Sequence, residues 1–179
     1  MLPIAHASAS LLSLAVYNKI KKAKNEESFP YFWFVIIGIA GIFPDLLKPH
    51  LLASERISIS HSIFFPLFFL GFYLVLKSFK NKNSIYFILF FWGTFLHLIL
   101  DMVTGVVVIF YPLSDFTFNQ VILFPANIVQ LNDGRWYADF FQHALWYLFD
   151  SFFFGLYVFV DKTNLLERNL RKLFKKKII

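Results

Sequence analysis

Long apolar segments dominate this 179-residue chain and limit what it can fold into. Crossing a bilayer as a helix takes about 20 apolar residues, and four segments reach or approach that length. The composition is 58% hydrophobic and 21% aromatic, which is more apolar surface than a soluble domain of this size could bury. We therefore predict an all-α polytopic membrane helix bundle, forming a single membrane domain over residues 1–179. The four segments are residues 31–47, 62–79, 84–110 and 144–161.

A fifth segment, residues 2–18, is less apolar and richer in Ala and Ser. Small residues allow helices to approach closely, so this segment is predicted to pack against the others. A cleaved signal peptide is the alternative, but the basic residues follow the apolar run instead of preceding it. With this helix the prediction becomes about five membrane-embedded helices. The absence of cysteine excludes disulfides and thiolate metal ligands.

Segments rich in basic residues alternate along the chain with loops that have few of them. Residues 19–30, 77–83 and 161–179 hold 14 of the 17 Lys and Arg. Positive charge marks the cytoplasmic side, so a multi-pass inner membrane protein with a basic cytoplasmic tail at 161–179 is predicted. This distribution also explains the net charge of +6 without a nucleic-acid partner. Arg168 to Lys177 is expected to form a basic amphipathic helix on anionic membrane lipids.

Five ionisable side chains lie within or at the ends of these apolar segments. An ionisable group in the membrane is costly unless it is paired, hydrated or bound to a metal ion. The charge pattern places all five in the outer half of the bundle, although nothing in the count of basic residues required this. Their shared position predicts one common site. The five residues are His6, Asp45, His61, His97 and Asp101.

The chemistry of these residues indicates a divalent metal site. His97 and Asp101 are four residues apart, so one helix face can offer both to the same ion. Histidine and aspartate suit zinc best, and manganese is also possible. For each residue there is a simpler explanation. His97 and Asp101 could form a structural hydrogen bond, and His61 could belong to a polar cap at Ser60. Asp45 could end a helix, and His6 could lie at the membrane interface.

Two further residues belong to the last predicted membrane helix. His143 and Asp150 are seven residues apart, so they share one helix face. Asp150 stands among apolar residues and needs a partner. Both are candidates for orienting a metal ligand or for contributing to a second metal position.

Short motifs in a fixed order resemble a known family. Over residues 4–114 they resemble the membrane-bound metal-dependent hydrolases, also called LexA-binding, inner-membrane-associated hydrolases. The order of His and Asp is also similar to that of zinc-dependent phospholipase C. The chain departs from the family pattern at Leu47, where a second Asp is usual, and at Arg56-Ile57-Ser58, where His-Arg-Gly is usual. The motifs are His6, Gly41-Ile42-Phe43-Pro44-Asp45, Ser60-His61-Ser62, His97-x-x-x-Asp101-x-x-Thr104-Gly105 and Tyr111-Pro112-Leu113-Ser114.

The resemblance implies metal ligation by all five residues and hydrolysis of a phosphoester, in a lipid or lipid-linked substrate. A metal-bound water is the expected nucleophile, with Asp45 and Asp101 as the candidate catalytic residues. The alternative is a non-enzymatic membrane interaction protein in which the polar cluster is structural or degenerate. Transport is a third class, but the inner half of the apolar segments carries almost no polar residues, which counts against an ion path.

Overall fold

The computed structural model describes residues 3–47, 59–104, 107–114, 117–118 and 136–176. These ranges are mostly α-helical, and they also contain one short 3₁₀ helix and a two-stranded ribbon. In chain order the elements are α1 (Pro3–Ala23), α2 (Tyr31–Leu46), the 3₁₀ helix (Ile59–His61), α3 (Phe64–Ser78), α4 (Ser84–Thr104), β1 (Val107–Val108), β2 (Thr117–Phe118), α5 (Trp136–Lys162) and α6 (Leu165–Lys176).

The first five helices correspond to the five apolar segments of the sequence, with two corrections. The predicted helix over 84–110 ends at Thr104, and Val107–Val108 then pairs antiparallel with Thr117–Phe118. β-Branched residues following a glycine favour extended backbone over helix, which explains this end. Helix α5 begins at Trp136, earlier than residue 144, where the last apolar segment was predicted to begin. The described residues are mostly α-helical, which is consistent with the predicted all-α class.

Among the described residues, α4 has the strongest membrane-spanning character. Its segment Ser84–Val103 is long and apolar enough to cross a bilayer by length and composition. Helices α2 and α3 are apolar but shorter, with 16 and 15 residues. At 1.5 Å per residue they reach only about 24 and 22 Å, against a hydrocarbon core of about 30 Å. Five full crossings thus remain a prediction.

The helices pack around α1 and α4. Helix α2 contacts both of them, α3 lies on α4, and α5 and α6 lie on α1. A buried apolar cluster joins Leu14, Phe34, Leu89 and Val160, with Leu166 of α6 packed against it. This cluster lies toward the end of the bundle where α1 finishes. The other end is left for polar side chains.

The outward faces of α3 and α5 are apolar. Pro66 is the one buried residue described in α3, whereas Phe68 and Val75 are exposed. On α5, Phe152 and Phe159 are likewise exposed. Apolar surface on this scale is a liability in water but suits contact with lipid chains. The exposed faces therefore agree with a membrane environment.

We predict that the two ends of the bundle lie on opposite sides of the membrane. The chain has no cysteine, so single cysteines introduced at Lys82 and at Asn132 report their own accessibility. Asn132 lies outside the described residues, and its side of the membrane is inferred from the charge pattern alone. In sealed inner-membrane vesicles, an impermeant thiol reagent should label one position from outside and the other only after permeabilisation. Labelling of both from the same side would contradict the five-helix arrangement.

Candidate metal centre

Five side chains from four elements converge at one end of the bundle. His6 lies near the start of α1, Asp45 in the last turn of α2, and His61 at the end of the 3₁₀ helix before α3. Helix α4 contributes His97 and Asp101, one turn apart as their spacing predicted. The five side chains that the sequence analysis singled out therefore lie close together. Whether these side chains bind a metal ion depends on the geometry and chemistry of their donor atoms.

The Asp101 carboxylate lies at the centre of the cluster. Its Oδ1 is 3.3 Å from His6 Nε2. Its Oδ2 is 3.2 Å from His97 Nε2 and 3.6 Å from His61 Nε2. All three imidazoles thus direct their Nε2 atoms toward one carboxylate.

Asp45 closes the cluster from α2. Its Oδ1 is 3.3 Å from His61 Nε2 and 3.9 Å from His97 Nε2. Its side chain is 17% exposed, whereas that of Asp101 is 8% exposed. Asp45 is therefore the more accessible of the two carboxylates, and Asp101 is enclosed by histidines.

These separations match the spacing of donor atoms around one metal ion. With zinc–ligand bonds of about 2.0–2.2 Å, neighbouring donors in a tetrahedral site lie about 3.3–3.6 Å apart. In each of two groups, one of His6, Asp45 and His97 and the other of His61, His97 and Asp101, one donor atom from each residue lies within 4.8 Å of the others. Two carboxylates and three neutral imidazoles also balance the charge of a divalent ion. The described side chains could hold a metal ion.

Hydrogen bonds on the far side of two rings fix their orientation. His97 Nδ1 donates to the backbone oxygen of Gly41 at 2.8 Å, so its Nε2 carries a lone pair when the ring is neutral. His61 Nδ1 lies 3.0 Å from the Ser60 hydroxyl. Partners of this kind orient metal-binding histidines and hold them in the correct tautomer.

Two buried ring nitrogens of the cluster, His6 Nε2 and His97 Nε2, lack a hydrogen-bond partner. His6 and His97 are almost fully buried, yet their Nε2 atoms make no hydrogen bond of acceptable geometry. Both nitrogens lie 3.2–3.3 Å from Asp101 oxygens, close enough in distance but poorly aligned. A buried polar atom without a partner costs free energy. Coordination of a metal ion would satisfy these atoms.

Glycine at two positions allows the helices that carry the cluster to approach closely. A Cβ atom on Gly41 would lie 2.7 Å from the backbone oxygen of His6. A Cβ atom on Gly93 would lie 2.6 Å from Ala40 Cβ and 3.0 Å from Gly41 N. The His6 and His97 rings consequently stack with their centroids 3.9 Å apart.

The two additional candidates differ from the five. His143 belongs to α5, and its side chain lies outside the described residues. Asp150 is 4% exposed and faces the backbone of Ala5, beside His6, while neither of its carboxylate oxygens has a partner in hydrogen-bond geometry. A carboxylate at the first turn of α1 interacts favourably with the helix dipole. This contact places Asp150 against the backbone that carries His6.

Sequence reasoning missed the residues that position the cluster. Ser60 was weighed as a helix cap, but α3 begins only at Phe64, and the hydroxyl contacts His61 instead. Gly41 appeared in a recognised motif, yet its role as the acceptor for His97 follows from the packing of α2 against α4. The motif from Gly41 to Asp45 draws attention to Gly41, but it does not indicate that His97 donates to the Gly41 backbone oxygen.

Comparison with known proteins identifies the family but not the chemistry. No curated protein and no solved structure matches the chain. The family model described as YdjM inner membrane protein matches residues 1–164, a range that includes the whole cluster and ends just before α6. The match covers most of the chain and agrees with location in the inner membrane. The chain belongs to the YdjM inner membrane protein family.

Proposed function

We propose that this protein is a membrane-embedded, metal-dependent hydrolase of a phosphoester. The observation that carries the proposal is the spacing of its buried donor atoms, with three imidazole Nε2 atoms 3.2–3.6 Å from the oxygens of one carboxylate. The ligands would be His6, Asp45, His61, His97 and Asp101, and zinc is the preferred ion, with manganese as the second choice. A bound divalent ion would supply a Lewis acid for the phosphoryl oxygen and lower the pKa of water.

The two carboxylates are assigned different parts in the reaction. Asp101 is enclosed by three histidines, which suits a group that holds the ion and balances its charge. Asp45 is more exposed and lies in the last turn of α2, where a substrate or water can reach it. A general base must be within hydrogen-bond reach of the proton that it accepts. Asp45 is therefore the candidate base, in addition to its place among the ligands.

A lipid or lipid-linked substrate agrees with the surroundings of Asp45. Leu46 and Leu47 follow it directly and are 65% and 47% exposed. Leu47 stands where the resembling hydrolases usually have a second Asp, so this chain has an apolar residue at that place. An acyl or isoprenoid chain could lie along these leucines while its phosphoester reaches the cluster.

The test uses the full-length chain in lipid nanodiscs, stripped with a chelator and then supplied with Zn²⁺ or Mn²⁺. Hydrolysis of soluble aryl phosphoesters and of long-chain lipid phosphoesters is followed by phosphate or alcohol release. Activity should require the metal and should be higher on the lipid substrates. Stoichiometric metal binding without hydrolysis of any phosphoester would reject the hydrolase and favour a membrane interaction protein with a structural metal site.

Asp45→Asn tests the assignment of the base. We expect a loss of activity of about 10²–10⁴-fold, the usual contribution of general acid–base catalysis, with a smaller loss of bound metal. The matched control is Asp161→Asn, because Asp161 lies at the far end of α5 and pairs there with Lys162. Retention of full activity by Asp45→Asn would remove Asp45 from the mechanism.

A further inference from the structure

A basic surface lies at the end of the bundle opposite the His/Asp cluster. It consists of residues 19–27, around the C-terminal end of α1, and residues 161–176, which include α6. Together these ranges contain ten Lys and Arg against four Asp and Glu. Lys19 is buried and donates to Asn164 Oδ1, so it does not belong to the exposed charge. From His6 to Lys22, α1 rises about 24 Å, most of the thickness of a hydrocarbon core. The basic surface and the cluster are therefore separated by most of the thickness of a hydrocarbon core. Helix α6 begins beyond the family match.

Helix α6 is fixed to the end of α1. Arg171 donates to the backbone oxygen of Lys22 at 2.8 Å and to Asn25 Oδ1 at 2.9 Å. The same guanidinium pairs with Glu167 one turn earlier, at 3.0 Å. The Lys22 carbonyl belongs to the last turn of α1, where helix carbonyls lack intrahelical partners. Arg171 is thus engaged within the protein and holds α6 in a defined orientation.

Contact with α1 uses only part of the apolar face of α6. Leu166, Leu170 and Phe174 are half-buried on the side toward the bundle. Leu165 and Leu173 remain exposed, at 45% and 62%. A helix docked simply as a soluble tail would be expected to turn such leucines inward.

Exposed basic residues accompany these leucines. Arg168 and Lys24 are exposed, and the Lys162 side chain is 79% exposed. Lys172, Lys175 and Lys176 belong to α6, as do the two exposed leucines. Exposed leucines beside Lys and Arg are typical of helices that lie in the interface of an anionic membrane. The positive charge also agrees with the cytoplasmic side of the inner membrane.

We propose that α6 and the C-terminal end of α1 form a binding surface for anionic phospholipids. Leu165 and Leu173 enter the interfacial region, and the exposed Lys and Arg side chains contact lipid phosphates. Each basic residue near an anionic surface contributes about fivefold to binding. This surface is independent of the metal centre and has its own ligand, the headgroups of anionic lipids.

The experiment places a fluorescent reporter on the exposed side of α6. Asn169 is exposed and lies between Leu165 and Leu173 along the helix, and the chain offers no competing thiol. Asn169→Cys is labelled with an environment-sensitive dye in the full-length chain, in nanodiscs of phosphatidylcholine alone or with added phosphatidylglycerol. Brominated acyl chains on the phosphatidylglycerol report contact by quenching. We expect a blue shift and quenching that grow with phosphatidylglycerol and weaken at high salt.

Two further variants separate charge from general contact. Arg168→Gln combined with Lys172→Gln and Lys175→Gln should lower the preference for phosphatidylglycerol roughly fivefold for each charge removed. Leu113→Cys, labelled in the same way, is the control. Leu113 is 78% exposed, and it should not respond to lipid charge because residues 84–134 contain no Lys or Arg. Equal signals in both lipid compositions would overturn the proposal. A signal that appears only on addition of a soluble single-stranded oligonucleotide would also overturn it, in favour of nucleic-acid binding.

Discussion

Asp101→Asn should reduce the bound divalent metal of the purified protein to background. The substitution preserves the size of the side chain but removes the charge that faces three histidines at 3.2–3.6 Å. It also replaces a strong ligand with a weak one. Loss of a partner that only orients a ligand usually costs 10–100-fold in metal affinity, so loss of the central ligand should cost more than about 100-fold. The measurement is metal content by mass spectrometry after equilibration with buffered zinc.

His97→Ala should have the same effect, and the double variant should be no worse than either single variant. Both residues would act through one ion, so either change alone empties the site and the two effects cannot add. The helical content should persist, because the apolar packing around Leu14 and Phe34 lies at the other end of the bundle. Circular dichroism checks this point for each variant.

Asp161→Asn provides the control for metal content, since it removes a carboxylate remote from the cluster. It should retain the full complement of metal. Wild-type protein that binds no stoichiometric metal under any supply of divalent ions would refute the metal centre. The His61–Asp45 hydrogen bond at 3.3 Å would then be read as a structural contact between elements.

The convergence of the five side chains was predictable because two simple patterns agree. Helical periodicity places His97 and Asp101 on one face of α4. The alternation of basic residues then brings His6, Asp45 and His61 to the same end of the bundle as that pair. Neither pattern depends on the details of packing. The approximate position of the site could therefore be inferred before any distance was known.

The parts that could not be predicted depend on contacts between helices. The hydrogen bond from His97 to the Gly41 backbone requires α2 and α4 to be in close contact, which no local pattern encodes. The end of α4 at Thr104 reflects competition between an apolar helix and extended valines, and the apolar run alone favoured the helix. Asp150 could be placed on a helix face, but its position against the first turn of α1 depends on how α5 packs.

Gly93→Ala should destabilise the protein and weaken metal binding together. The added methyl group would lie 2.6 Å from Ala40 Cβ and 3.0 Å from Gly41 N, so α2 and α4 must move apart. Overpacking of this kind usually costs about 1–3 kcal/mol. The same movement would lengthen the 2.8 Å hydrogen bond from His97 to Gly41, which orients the ring. We therefore expect a lower melting temperature and about a 10–100-fold loss of metal affinity.

Gly71→Ala is the matched control, because a Cβ atom at Gly71 meets nothing within 4 Å. Alanine favours a helix over glycine by about 1 kcal/mol, so this variant should melt at the same or a higher temperature and keep its metal affinity. Thermal unfolding in detergent and competition with a metal-binding dye measure the two quantities. If Gly93→Ala lowered stability but left metal affinity unchanged, the α2–α4 contact would support the fold without positioning His97. A joint loss, absent from Gly71→Ala, would instead tie the geometry of the metal centre to the closeness of these two helices.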